Sequence, residues 1–69
     1  MITSFGERVR ELREEKGLSR KELAEVFNLK QGAIYEWENR GKQTDYATLC
    51  KLADFFQVSL DYLLGRTND

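Results

Sequence analysis

The sequence predicts an all-α fold, a compact bundle of five short helices. Three observations carry that prediction. Apolar residues recur at i, i+3, i+4, i+7 spacing in short segments, the signature of one buried helix face. Serines stand three residues ahead of glutamates at segment starts, as in a capping box. Glycine or asparagine closes most segments, and there is no proline anywhere. No linker, repeat or low-complexity tract interrupts the pattern, so residues 1–69 form a single domain.

The first helix opens at Ser4, with Glu7 completing the S-x-x-E spacing. Phe5, Val9 and Leu12 mark its inner face, and Gly17 ends it in a left-handed turn. Glu7, Glu11, Glu14, Arg10, Arg13 and Lys16 compose a mixed, solvated outer face. The second helix repeats the device with Ser19 and Glu22, carries Leu23, Ala24 and Phe27, and stops at Asn28, which tolerates the left-handed conformation.

A third helix covers residues 31–39, with Ile34 and Trp37 apolar, and Gly41 breaks it. The fourth opens at Thr44 or Asp45, and Leu49, Leu52, Ala53 and Phe56 form a one-face stripe. Ser59 caps a fifth helix bearing Leu60, Leu63 and Leu64, closed by Gly65. Residues 66–69 are expected to fray.

Composition narrows the chemistry. A single cysteine excludes an internal disulfide, and the absence of histidine excludes the usual zinc sets. It also removes the commonest general base. The paired carboxylates Glu14-Glu15 and Glu36-Glu38 fall on helix faces rather than in a catalytic cleft. Cys50, beside the Leu49 and Leu52 stripe, is a quiet, partly buried thiol. The expectation is a protein that is not an enzyme, with no metal, no cofactor and no small-molecule ligand. No apolar run approaches the ~20 residues of a membrane span, and no signal-peptide core follows Met1. A cytoplasmic domain with no membrane partner is expected.

Charge argues against the simplest nucleic-acid binder, whose footprint is basic. Eleven Lys and Arg oppose twelve Asp and Glu, a net −1. The distribution softens this: through Gln43 nine basic residues face eight acidic ones, and from Thr44 onward two face four.

Residues 19–39 are the informative stretch. Two short helices are joined by Asn28-Leu29-Lys30, with small Ala24 allowing close approach over Ile34. That is the layout of a helix-turn-helix, whose second helix lies in the DNA major groove.

At this point the chain resembles the phage repressor and Cro class of helix-turn-helix regulators, the Xre-type family. The matching strings are FGERVRELREEKGLSRKELAEVFNL, IYEWEN and LCKLADFFQVSLDYLLG, spanning residues 5–65. The resemblance implies a repressor-like bundle in which residues 31–39 are the recognition helix. It implies base reading by Gln31, a residue suited to the adenine edge, with Tyr35 or Glu36 beside it. It implies phosphate contacts from Arg20, Lys30, Arg40 and Lys42, the last two in the loop after the helix. Glu38 matches a glutamate that pairs with the second arginine of R-x-x-R, here Arg13. Trp37 is expected to pack rather than stack on a base, and Tyr35 is either a groove contact or an exposed aromatic.

Departures from the family pattern are informative. Glu36 stands where a cation or glutamine is common. The glycine of the loop falls one place late, at Gly41. Thr44 replaces a proline, and Asn28 and Gln57 replace turn glycines; Gln57 is strained if left-handed.

The expected function is sequence-specific binding of double-stranded DNA by a transcriptional regulator, a repressor acting as a homodimer on a palindromic operator. The expected seam is Leu60, Tyr62, Leu63 and Leu64, where apolar residues exceed what so short a helix needs. The rival is a helix-turn-helix used as a protein–protein interaction module, of antitoxin or anti-repressor type, favoured by Glu36, Glu38 and the net charge. A third reading is a fragment of a longer repressor with a sensor domain; with the sequence ending at Asp69, no such domain is expected.

Overall fold

The computed structural model describes residues 4–67, and among these the chain folds into five helices. They are α1 (Phe5–Glu15), α2 (Arg20–Val26), α3 (Gln31–Arg40), α4 (Tyr46–Phe56) and α5 (Leu60–Leu63).

Serine caps set the starts of α1, α2 and α5. Ser4 Oγ accepts from the Glu7 amide at 3.2 Å, and Ser59 Oγ accepts from the Tyr62 amide at 3.0 Å. At Ser19 the capping box is reciprocal: its hydroxyl accepts from the Glu22 amide at 3.0 Å, while its own amide donates to Glu22 Oε1 at 2.8 Å. Each bond satisfies a donor that the helix itself leaves open.

The helix ends share one closure. After Asn28, the Leu29 amide donates back to the Ala24 carbonyl at 2.8 Å, and after Gln57 the Val58 amide reaches the Ala53 carbonyl at 3.0 Å. Both closures need a left-handed residue before the donor. Asn28 and Gln57 supply it, each at φ 56°. The strain expected of Gln57 is therefore present, offset by that closing bond.

α1 and α2 pack on α3, and α5 packs on α4 and α1. Val9, Leu23, Ile34, Leu52 and Leu63 are fully enclosed at the centre. Trp37 is buried against Phe5, ring centroids 5.5 Å apart. Gly6 makes the α1–α3 approach possible: a methyl there would overlap the Trp37 carbonyl oxygen and stand 3.0 Å from Glu38 Cα. A second aromatic cluster, Phe27 on Phe55 and Phe55 on Phe56, fastens the end of α2 to α4.

Several expectations are corrected. Leu63 belongs to the monomer core with no exposed surface, so it is not available to a dimer seam. The outer face of α1 is not wholly solvated: Arg13 is buried, and so is Arg8 elsewhere on the helix. The Arg8 guanidinium lies over the Tyr62 ring, 4.0 Å from its centroid, and donates to the Thr67 carbonyl at 3.2 Å. Arg66 and Thr67, expected to fray, are held, the Arg66 amide bonding the Asp61 carbonyl at 2.9 Å. Residues 68 and 69 lie outside the described residues.

Candidate nucleic-acid interface

α2 and α3 pack together, and Ala24 of α2 and Ile34 of α3 both lie in the buried core. The small Ala24 side chain lets the helices close, and the Leu29 bond fixes the turn. α3 is thereby divided lengthwise. Ile34, Trp37 and Glu38 face inward, while Lys30, Gln31, Gly32, Tyr35, Asn39 and Arg40 are exposed. Gln31, Tyr35 and Asn39 follow one another at i, i+4 spacing, which stacks them along one side of a helix.

That exposed face is held in place by a carboxylate. Glu38 has a side chain with no solvent exposure. It accepts from Arg13 Nε at 2.8 Å and Arg13 Nη2 at 3.2 Å, and from Arg20 Nε at 3.0 Å. Arg10 Nε stands 3.6 Å away. Arg13 also donates to the Leu18 carbonyl at 2.8 Å, tying the α1–α2 turn to the same centre. One anion from α3 is thus surrounded by cations from α1 and α2. Burying the charge is tolerable because it is paired and its lone pairs are used.

The structure places Arg20 differently from a free phosphate clamp. Its guanidinium is engaged by Glu38 and lies 5.7 Å from the Tyr35 ring centroid, with the side chain 35% exposed. Arg20 therefore faces both the hub and the outer surface. Arg40 is the last residue of α3 and not part of the following loop, a correction explained by the late glycine. The helix runs one residue further, and Gly41 caps it at φ 69°. Lys42 is well exposed, and its Nζ lies 3.8 Å from Glu36 Oε2. The acid that departs from the family pattern thus has a cation beside it.

Arg10 is the site residue that sequence reasoning missed. Its Nη2 donates to the Glu38 carbonyl at 3.3 Å and to Asn39 Oδ1 at 3.0 Å, and Asn39 Nδ2 donates to the Tyr35 carbonyl at 3.1 Å. Arg10 therefore steadies the last turn of α3. The available signal was R-x-x-R itself, since residues three apart share a helix face.

Near the site, the Ser19 amide and then its hydroxyl hold the Glu22 carboxyl below the usual glutamate range. The hydroxyls of Thr48 and Thr44 lower that of Asp45. An α-helix exposed along one side, as α3 is, has the dimensions to enter the major groove of DNA.

A second helix exposed along one side, packed on the first across a tight turn, defines a helix-turn-helix domain. The sequence matches the helix-turn-helix family over residues 9–63, and the chain belongs to that family, in its repressor and Cro-like branch. It is 38% identical over 63 residues to the HTH-type transcriptional regulator ImmR of Bacillus subtilis, covering 91% of this chain and 50% of the relative. It is 32% identical over 66 residues to the uncharacterized HTH-type transcriptional regulator YqaE of the same organism, covering 94% and 57%. It is 33% identical over 64 residues to YonR, an SPbeta prophage-derived uncharacterized HTH-type transcriptional regulator, covering 93% and 59%. The chain thus spans about half to three-fifths of the length of these relatives. Among the described residues no helix is long and apolar enough to cross a membrane.

Proposed function

We infer that this chain is the DNA-binding part of a cytoplasmic transcriptional regulator, a repressor that occupies a palindromic operator as a homodimer. The observation that carries the reading is the exposed face of α3, with Gln31 and Tyr35 along it and cations at both ends. Lys30 stands before the first turn, and Arg40 and Lys42 stand at the last, with Arg20 alongside. Gln31 reads a base edge, with Tyr35 or Glu36 contributing beside it. The cations fix register on the phosphates and carry no sequence information themselves. The relatives' names as transcriptional regulators support the same reading.

Binding to mixed genomic duplexes across a salt series tests it. Phosphate neutralisation releases counterions, so log K should fall steeply and linearly with log salt. Selection from random duplexes then yields the operator. A chain that binds no duplex at any salt is instead a protein–protein interaction module.

A further inference from the structure

Glycine in an exposed helix weakens it, because the unfolded chain has more freedom to lose and no side chain packs in return. Elsewhere in this chain the fold supplies a reason for glycine. Gly6 admits the Trp37 carbonyl, and Gly17, Gly41 and Gly65 have positive φ. Gly32 has neither reason. Its backbone is ordinary helix, and a Cβ built there would meet no atom within 4 Å. The fold would accept any small side chain at this position, and alanine would strengthen the helix.

Gly32 lies in the first turn of α3, on the exposed face beside Gln31. Tyr35 follows three residues later, 47% exposed, and residues so spaced are neighbours on a helix surface. Half-buried Ala33 adjoins on the other side. The bare backbone at Gly32 is therefore an open stretch of the exposed face, with no side chain standing over it. The major groove offers one apolar protrusion, the C5-methyl of thymine.

We propose that Gly32 is a specificity-determining position: its missing side chain leaves open room on the exposed face of α3, beside Gln31, for the close approach of a thymine methyl group in each operator half-site. This rests on the DNA-reading role of α3. It adds a recognised base that no polar side chain would reveal, next to the base read by Gln31.

The test uses the operator obtained by selection. Each thymine of a half-site is replaced in turn by deoxyuridine, which deletes only the methyl. One such replacement should weaken wild-type binding by about fourfold, the worth of one buried methyl-sized group. Gly32→Ala should melt at or above the wild-type temperature, yet bind the thymine duplex more weakly and no longer distinguish it from the deoxyuridine duplex. Equal wild-type affinity for thymine and deoxyuridine at every position overturns the proposal. So does a Gly32→Ala protein with unchanged affinity and unchanged methyl discrimination. If selection enriches no duplex, the DNA-binding reading falls and this inference falls with it. An enriched operator insensitive to its methyls overturns this inference alone.

Discussion

Glu38 and Arg13 form a two-point ion pair, Arg13 Nε to Oε2 at 2.8 Å and Nη2 to Oε1 at 3.2 Å, with the carboxylate side chain wholly buried. The fork of the guanidinium matches the two carboxylate oxygens, so the contact fixes orientation as well as distance. Because Arg13 sits on α1 and Glu38 on α3, the pair sets the angle of α3 against the body of the domain. Arg20 and Arg10 converge on the same carboxylate from two further directions.

Removing Glu38 should therefore be severe. Glu38→Ala leaves Arg13 buried without its partner, a change that costs about 3–5 kcal/mol. Total stability of native domains is only about 5–15 kcal/mol, and this one is small. Urea unfolding should show a large fall in midpoint. A midpoint within error of wild type would mean that the hub contributes nothing.

The fold was readable because local signals agreed with one another. Serine caps, left-handed stops and one-face apolar stripes each placed a helix boundary independently, as at Ser19, Asn28 and the Leu49–Phe56 stripe. The site was less readable because charge does not announce burial. Arg10 and Arg13 have the spacing of a solvated helix face, yet Arg13 is buried and Arg10 reaches the hub. Gly6 gave no sign either, since close approach depends on where Trp37 arrives from a distant part of the chain. Leu63 had the composition of a seam residue, but α5 has only four residues, and its innermost one fills the core.

Phosphate contacts should separate by substitution. Lys42→Ala removes an exposed cation whose nearest partner is Glu36 at 3.8 Å. It should leave folding intact, weaken binding about equally on all sequences, and reduce the salt slope by about one. Arg20→Ala should lower the slope by a like amount and also lower the melting temperature, because Arg20 bonds Glu38. A Lys42→Ala slope identical to wild type would remove that residue from the interface.

Gln31→Ala should act on choice rather than on charge. The salt slope should stay constant, while the preferred operator loses roughly 1–3 kcal/mol and selection relaxes at one base pair per half-site. An unchanged selection profile would show that Gln31 is only a surface residue.

Acid should weaken the start of α2. The Ser19 amide, with its hydroxyl, holds the Glu22 carboxyl below its ordinary range in the folded chain. The unfolded chain then takes up the proton more readily. The stabilisation from Glu22 is therefore complete above the unfolded pKa, and it is lost as pH falls through the lowered folded one. Wild type should melt higher than Glu22→Gln at neutral pH, with the gap closing on acidification below the usual glutamate range. A gap that stays constant with pH would assign the difference to packing and not to the carboxylate.

The dimer should be weak until DNA assembles it. One recognition helix reads only a few base pairs, too few to choose an operator among the competing sites of a genome. A two-fold pair doubles the reading and sets the recognition helices about 34–36 Å apart, one turn of DNA. A seam on α5 is self-complementary, as two-fold symmetry requires, and Asp61 is the charge within it. Its capacity is small, however. Leu63 is spent on the core, Leu60, Tyr62 and Leu64 are already half-buried, and the Tyr62 ring is covered on one side by Arg8. A seam of so few, partly covered side chains is expected to bury less than a stable interface does. Free protein should exchange between monomer and dimer at micromolar concentration or weaker, and a full palindrome should be bound two to one, cooperatively, where a half-site binds one. Leu60→Asp and Leu64→Asp should abolish that cooperativity while half-site affinity survives. Sedimentation on free protein and on the two duplexes reads all of this. Equal, one-to-one affinity for half-site and full site would rule out the homodimer, and retained cooperativity in both variants would move the seam off α5.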